Sequence, residues 1–81
     1  MKVSVLTMYE KLCEIEAKEV ILPGEDGELS VWDNHQPCLY ALRAGKITIV
    51  TEPKTPIMSS ISIKRGIVHV EANCLAAMVE I

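Results

Sequence analysis

The chain has 81 residues, 49% of them hydrophobic, and a formal net charge of −3. That length makes one domain, and so short a domain needs a dense core because it buries only about 60–65% of its unfolded surface. Eight Lys and Arg against eleven Asp and Glu, with Trp32, Tyr9 and Tyr40 as the aromatic residues, argue against a nucleic-acid binder, whose affinity rests on clustered basic side chains.

The charge is uneven. Seven acids lie between Glu10 and Glu28 against Lys11 and Lys18, whereas Arg43, Lys46, Lys54, Lys64 and Arg65 make the second half balanced or basic. Cys13, Cys38 and Cys74 are widely spaced in apolar surroundings, which suits buried free thiols and a reducing compartment rather than a disulfide framework. The apolar residues after Met1 and Lys2 are too few for a signal peptide, and no run reaches the length of a membrane span.

Residues 2–7 alternate weakly and are β-branched, which predicts a strand. Residues 8–19 carry the Glu, Lys, Leu and Ala content of a short helix, with Leu12, Ile15 and Glu19 at helical spacing. The alternative there is a loop followed by a strand over 15–22. An apolar run stops at Pro23 and Gly24, and Asp26-Gly27 within Glu25-Asp26-Gly27-Glu28 signals a hairpin turn. Residues 29–32 alternate, 33–37 form a second polar connection, and 38–42 read as strand up to the break at Ala44 and Gly45. Alternation is clearest at 46–51, with Ile47 and Ile49 on one face. After a loop at 52–56, strands follow at 57–64, 67–71 and 74–81. Ile57, Ile61 and Ile63, Val68 and Val70, then Leu75, Ala77, Val79 and Ile81 mark their inward faces. Seven or eight short strands with frequent turns predict an all-β fold, a small antiparallel β-sandwich or flattened barrel formed by residues 1–81 as a single domain.

No reactive constellation emerges. The cysteines with His35 and His69 lack the short ligand spacings of zinc sites. Cys38 near His35 has no accompanying oxyanion donor. Glu25, Asp26 and Glu28 sit on a hairpin tip where water screens them, so a charged contact loop suits them better than acid–base work, and calcium loops need more ligands. These residues lead to no cofactor and no metal.

Several segments resemble the N-terminal β-sandwich of the F-type ATP synthase epsilon subunit family: the opening strand Val3-Ser4-Val5-Leu6-Thr7, the run from Ala17 to Leu29 through Pro23-Gly24-Glu25-Asp26-Gly27-Glu28, His35 with Pro37, Leu39, Ala41-Leu42, Gly45 and the strand after it, and Gly66-Ile67-Val68-His69-Val70. Asp33-Asn34 stands where the family has Pro-Gly, and Asn tolerates the left-handed turn. Lys64-Arg65 stands where the family has Ser-Gly.

The resemblance implies a loop and strands, not a helix, over 8–19. It implies a non-catalytic central-stalk subunit that links the gamma subunit to the membrane c-ring and helps couple ion flow, by proton or sodium, to ATP synthesis. By the family's pattern Thr7, His35, Pro37, Leu39 and Tyr40 face gamma, and Glu25, Asp26, Gly27 and Glu28 face the c-ring loops. The expected location is peripheral, on the cytoplasmic face of a bacterial inner membrane or in an organelle, with membrane contact only through the complex. Family members commonly continue into a C-terminal helical hairpin, which is expected to be absent here. The alternative function is a stand-alone β-sandwich binding or assembly module.

Overall fold

Val or Ile at every second position can be buried only by strands that share one apolar face. The computed structural model follows this rule. It describes residues 1–33, 36–51 and 58–81, the side chains of Met58 and Ser59 excepted. Among these residues there are nine strands: β1 (Lys2–Leu6), β2 (Lys11–Glu16), β3 (Glu19–Gly24), β4 (Gly27–Trp32), β5 (Cys38–Leu42), β6 (Gly45–Val50), β7 (Met58–Ile63), β8 (Arg65–Glu71) and β9 (Cys74–Glu80).

They form one sheet in the order β2-β1-β9-β8-β5-β3-β6-β7, with β4 also paired to β3. The sheet curls so that the inward side chains of both halves make a single core. Val3, Val5, Val20, Leu22, Val31, Ile47, Ile49, Val68 and Ala77 are fully inaccessible there. Burial of each larger aliphatic side chain contributes roughly 1.5–3 kcal/mol.

The two halves meet at a narrow junction. β5 pairs with β8 along its length but touches β3 at one position, Leu42 opposite Gly24. The Glu25 amide donates to Ala41 O (3.1 Å) and the Arg43 amide to Pro23 O (2.8 Å). A Cβ on Gly24 would lie 2.6 Å from both Gly27 O and Leu29 Cδ2, so only glycine fits this crossing.

Four expectations need correction. The sheet is not wholly antiparallel, because β1 runs parallel to β9 with Lys2 opposite Cys74 and Leu6 opposite Met78. The helix expected at 8–19 is absent, and β2 occupies its centre. Its charges work across strands instead. Ser4 lies opposite Glu14, and the Glu14 carboxylate takes the Lys11 ammonium together with that of Lys2 at 2.6 Å. These two ammonium groups, Lys11 first, hold the carboxyl down to about 2. Ile15 and Cys13 lie opposite Val3 and Val5, so tertiary pairing outweighs local helix preference. Cys74 is exposed beside the β8–β9 turn rather than buried; Cys13 and Cys38 are half-buried. The expected β3–β4 turn also shifts by one residue. Gly24 pairs with Gly27, so Glu25 and Asp26 are its central residues, and Gly27 follows at φ +132°.

The polar connection expected at 33–37 lies partly outside the described residues, and the loop at 52–56 and the expected inward Ile57 wholly so. Asp33 is described, and it anchors the chain's first residue. The Met1 α-ammonium donates to Asp33 Oδ1 (2.5 Å) and Ala17 O (2.8 Å), with Glu16 Oε2 at 3.3 Å. The Asp33 bond raises the affinity of that amine for its proton, and the ammonium in turn lowers the Asp33 carboxyl.

Candidate functional site

The half-sheet β2-β1-β9-β8-β5 buries one face and leaves the other open. On the open face, register places Ala41 opposite Ile67, Ile67 opposite Met78, and Met78 beside Leu6, an apolar row across four strands. The next row is mixed, with Leu39 opposite His69, His69 opposite Ala76 and Ala76 beside Ser4. Leu39, Ile67 and Met78 are all exposed. Strand alternation reserves such positions for polar residues when water is their neighbour, so a run of apolar ones marks a surface that another body covers.

The apolar row ends in a groove of about 1070 Å³, where β1, β5 and β9 finish and β8 begins. Its floor carries Ala41, Ile67 and Met78, and Ile81 lies along it. On one side stands the β1–β2 turn, residues 7–10. Thr7 builds that turn. Its Oγ1 accepts from the Tyr9 amide (3.2 Å) and the Glu10 amide (3.1 Å) and donates to Glu10 O (3.3 Å). The result is a closed local turn that holds Met8 (84% exposed) and Tyr9 (89% exposed) outward. Glu25 bounds the groove on the β5 side, and Arg65 Nε donates to Glu80 Oε2 (2.8 Å) at its end.

The acidic turn borders a second, smaller cleft of about 410 Å³, lined by Gly24 to Leu29 on one side and by Leu39, Tyr40 and Ala41 on the other. Tyr40 lies opposite the buried Val68, yet it remains 42% exposed because β5 parts from β3 beyond Leu42. Burial raises the Cys38 thiol above its ordinary value, which makes it a poorer nucleophile at neutral pH. Among the described residues no group of three or more His, Cys, Asp or Glu is gathered as an ion site would require.

The residues expected at interfaces therefore fall as follows. Leu39 and Pro37 are exposed, and Tyr40 turns toward the smaller cleft. Thr7 shapes the turn beside the large groove and spends its hydroxyl on its own backbone. Glu25, Asp26 and Glu28 are exposed and Gly27 half-buried. His35 lies outside the described residues. Leu39 and Tyr40, expected on one face, share a cleft with the acidic turn expected on another, so the two regions adjoin.

A family model described as the ATP synthase delta/epsilon chain β-sandwich domain matches residues 1–80. The chain belongs to this family. It is 35% identical over 80 residues to the ATP synthase epsilon chain of Sulfurimonas denitrificans, covering 99% of this chain and 60% of that one. It is 30% identical over 76 residues to the epsilon chain of Polaromonas naphthalenivorans, covering 94% and 54%. The chain thus spans little more than half the length of these relatives. Similar solved folds occur in the central stalk and c-ring structure of Tetrahymena thermophila mitochondrial ATP synthase, with a TM-score of 0.80, 20% identity, and coverage of 100% of this chain and 63% of that one. A chain in the Euglena gracilis mitochondrial ATP synthase OSCP/F1/c-ring structure gives a TM-score of 0.83 at 16% identity, covering 95% and 48%.

Within this delta/epsilon β-sandwich, sequence reading missed Met8, Tyr9, Ile67, Met78 and Ile81 as surface residues. The signal was present. Ile67 is out of phase with Val68 and Val70, and Met78 with Ala77 and Val79, so each of β8 and β9 sets a large apolar residue on its outer face, among Arg65, His69, Glu71 and Glu80.

Proposed function

We propose that this chain serves as a non-catalytic connector in the rotor of an F-type ATP synthase. Its open apolar face seats on the gamma subunit, and its Glu25-Asp26-Gly27-Glu28 turn is presented to polar loops of the c-ring. The observation that carries this reading is the exposed row Ala41-Ile67-Met78-Leu6 in a sandwich of the delta/epsilon family. Exposed hydrophobic area of this kind supplies affinity at about 25 cal/mol per Å² before association costs. The acids add little affinity, since an exposed ion pair is worth about 0–1 kcal/mol. They set orientation and rate of approach instead. The β3–β5 crossing at Gly24 joins the two regions, so a load on the turn passes into the sheet that bears the apolar face.

In this role the chain helps transmit c-ring rotation, driven by protons or sodium ions, to ATP synthesis, and carries out no chemistry itself. It sits at the membrane only through the complex, on the cytoplasmic side in a bacterium. The test is a titration against purified gamma subunit. Met78→Glu weakens binding more than tenfold while the thermal melt stays within a few degrees, because Met78 is exposed. Tyr40→Ala and Leu39→Ala weaken it less. Undiminished gamma affinity in Met78→Glu would remove the open face from the interface.

A further inference from the structure

The large groove constrains the form of whatever enters it. Its floor is backbone-saturated: β8 pairs with β5 and β9, and β9 with β8 and β1. An incoming segment finds no strand edge to extend on β8 or β9, and the edge of β5 that parts from β3 opens on the smaller cleft instead. In an apolar groove it must satisfy its own amides and carbonyls, which a helix does and an extended strand does not. The floor row from β5 to β1 spans three inter-strand steps, about 14 Å, comparable to one helix of roughly 10–12 Å diameter. The rim has a sign. Arg65 is engaged by Glu80, while Glu10 and Glu25 stand on opposite sides of the groove.

We propose that the groove seats an amphipathic α-helix of the partner chain. Its apolar stripe covers Ala41, Ile67 and Met78, and Lys or Arg side chains flanking the stripe lie toward Glu10 and Glu25. This deepens the reading of the open face as the gamma-docking side and rests on it. The pattern to be found in the partner is apolar at i, i+3, i+4 and i+7 with basic residues on both borders.

The probes are two synthetic stapled helices of about 14 residues, one with a leucine stripe flanked by lysines and one with the same stripe flanked by glutamates. Each carries a fluorophore and is titrated with the whole 81-residue chain by anisotropy, and gamma subunit is titrated in parallel. The lysine-flanked helix is expected to bind at least tenfold more tightly than the glutamate-flanked one, and Met78→Glu to weaken it at least tenfold. Glu10→Lys with Glu25→Lys should invert the preference between the two helices, a readout that holds even if Met78→Glu fails to fold. If gamma binds in a Met78-dependent manner but the two helices bind equally or not at all, the helix proposal is overturned and the docking face stands. If Met78→Glu leaves gamma binding intact, the docking face is wrong and the proposal falls with it. Self-association of the chain that Met78→Glu abolishes would assign the groove to a second copy and overturn the proposal.

Discussion

Both faces of the β1-β9-β8-β5 half-sheet carry apolar residues, and these have opposite fates. Inward stand Val3, Val5, Val68, Val70, Leu75, Ala77 and Val79, all buried. Outward stand Leu39, Ala41, Ile67, Ala76 and Met78, all exposed. The outer face mixes these apolar residues with Lys2, Ser4, Arg65, His69, Glu71 and Glu80, whereas the inner face carries no charge. The second half of the sheet, through Val20, Leu22, Val31, Ile47 and Ile49, closes over the inner face and leaves the outer one uncovered. The apolar residues of the inner face are therefore covered within the sandwich, and those of the outer face are exposed.

Truncating one residue on each face makes the contrast measurable. Leu75→Ala on the inner face should cost about 2–5 kcal/mol of unfolding free energy, the range for a buried leucine that leaves a cavity. Met78→Ala on the outer face should change stability by no more than about 0.5 kcal/mol. Comparable losses in urea melts of the two variants would mean that the outer face is already packed.

The turn that joins β8 to β9 offers a gain of stability. Ala72 and Asn73 connect β8 to β9 with φ of +45° and +61°, and both angles lie in the left-handed region. This is the type I′ geometry that Asn-Gly fits best, and alanine there carries roughly 1 kcal/mol of strain. Ala72→Asn with Asn73→Gly should raise stability by about 1 kcal/mol and leave gamma affinity unchanged, since the turn lies at the far end from the groove. A loss of stability would show that this turn depends on its present side chains.

The pH profile should report the charges that fasten the half-sheet's edge. The carboxyls of Glu14 and Asp33 are depressed by their cationic partners, so their stabilisation is full above the ordinary carboxylate range and fades as pH falls through their lowered values. The Met1 ammonium is shifted the other way. Its contribution is complete below about pH 8 and fades as pH rises through the raised value. Melting temperature should thus hold a plateau between these limits and fall beyond each. Lys2→Gln with Lys11→Gln should remove Glu14's share of the acid limb, and N-terminal acetylation of the 81-residue chain the alkaline limb together with Asp33's share of the acid one. A limb that is unchanged by its variant would remove that ion pair from the account.

The smallest effect on the fold is expected from the acidic turn. Asp26→Lys with Glu28→Lys, which leaves Glu25 at the large groove in place, should keep unfolding within about 0.5 kcal/mol while weakening c-ring docking in a salt-dependent way. Gamma affinity that fell as far as c-ring docking would merge the two regions into one interface, which their shared cleft makes a pointed comparison.

Much of this was legible in the residues. Alternation gave β6, β8 and β9 with their inward faces, because each has one strictly apolar phase, but Ile81, expected inward with Leu75, Ala77 and Val79, lies past the end of β9 and is exposed. β2 was not legible from its own residues, since Lys11, Glu14 and Glu16 have good helix propensity and their strand role depends on Lys2 in β1. The parallel pairing of β1 with β9 joins residues far apart in the chain, and no local pattern encodes that. The acidic turn was found because it is a contiguous motif. The groove was missed because its floor comes from three separate strands and its side from a turn that Thr7 closes.

The parallel seam between β1 and β9 also governs how this protein is made. A ribosome delivers β1 first, and its partner emerges only after the rest of the domain, so the opening strand waits with one edge unpaired through most of translation. Assembly is therefore vectorial but not progressive, with closure deferred to the final strand, and a polypeptide released before Cys74 would expose the bare flanks of β1 and β8 as a template for aggregation.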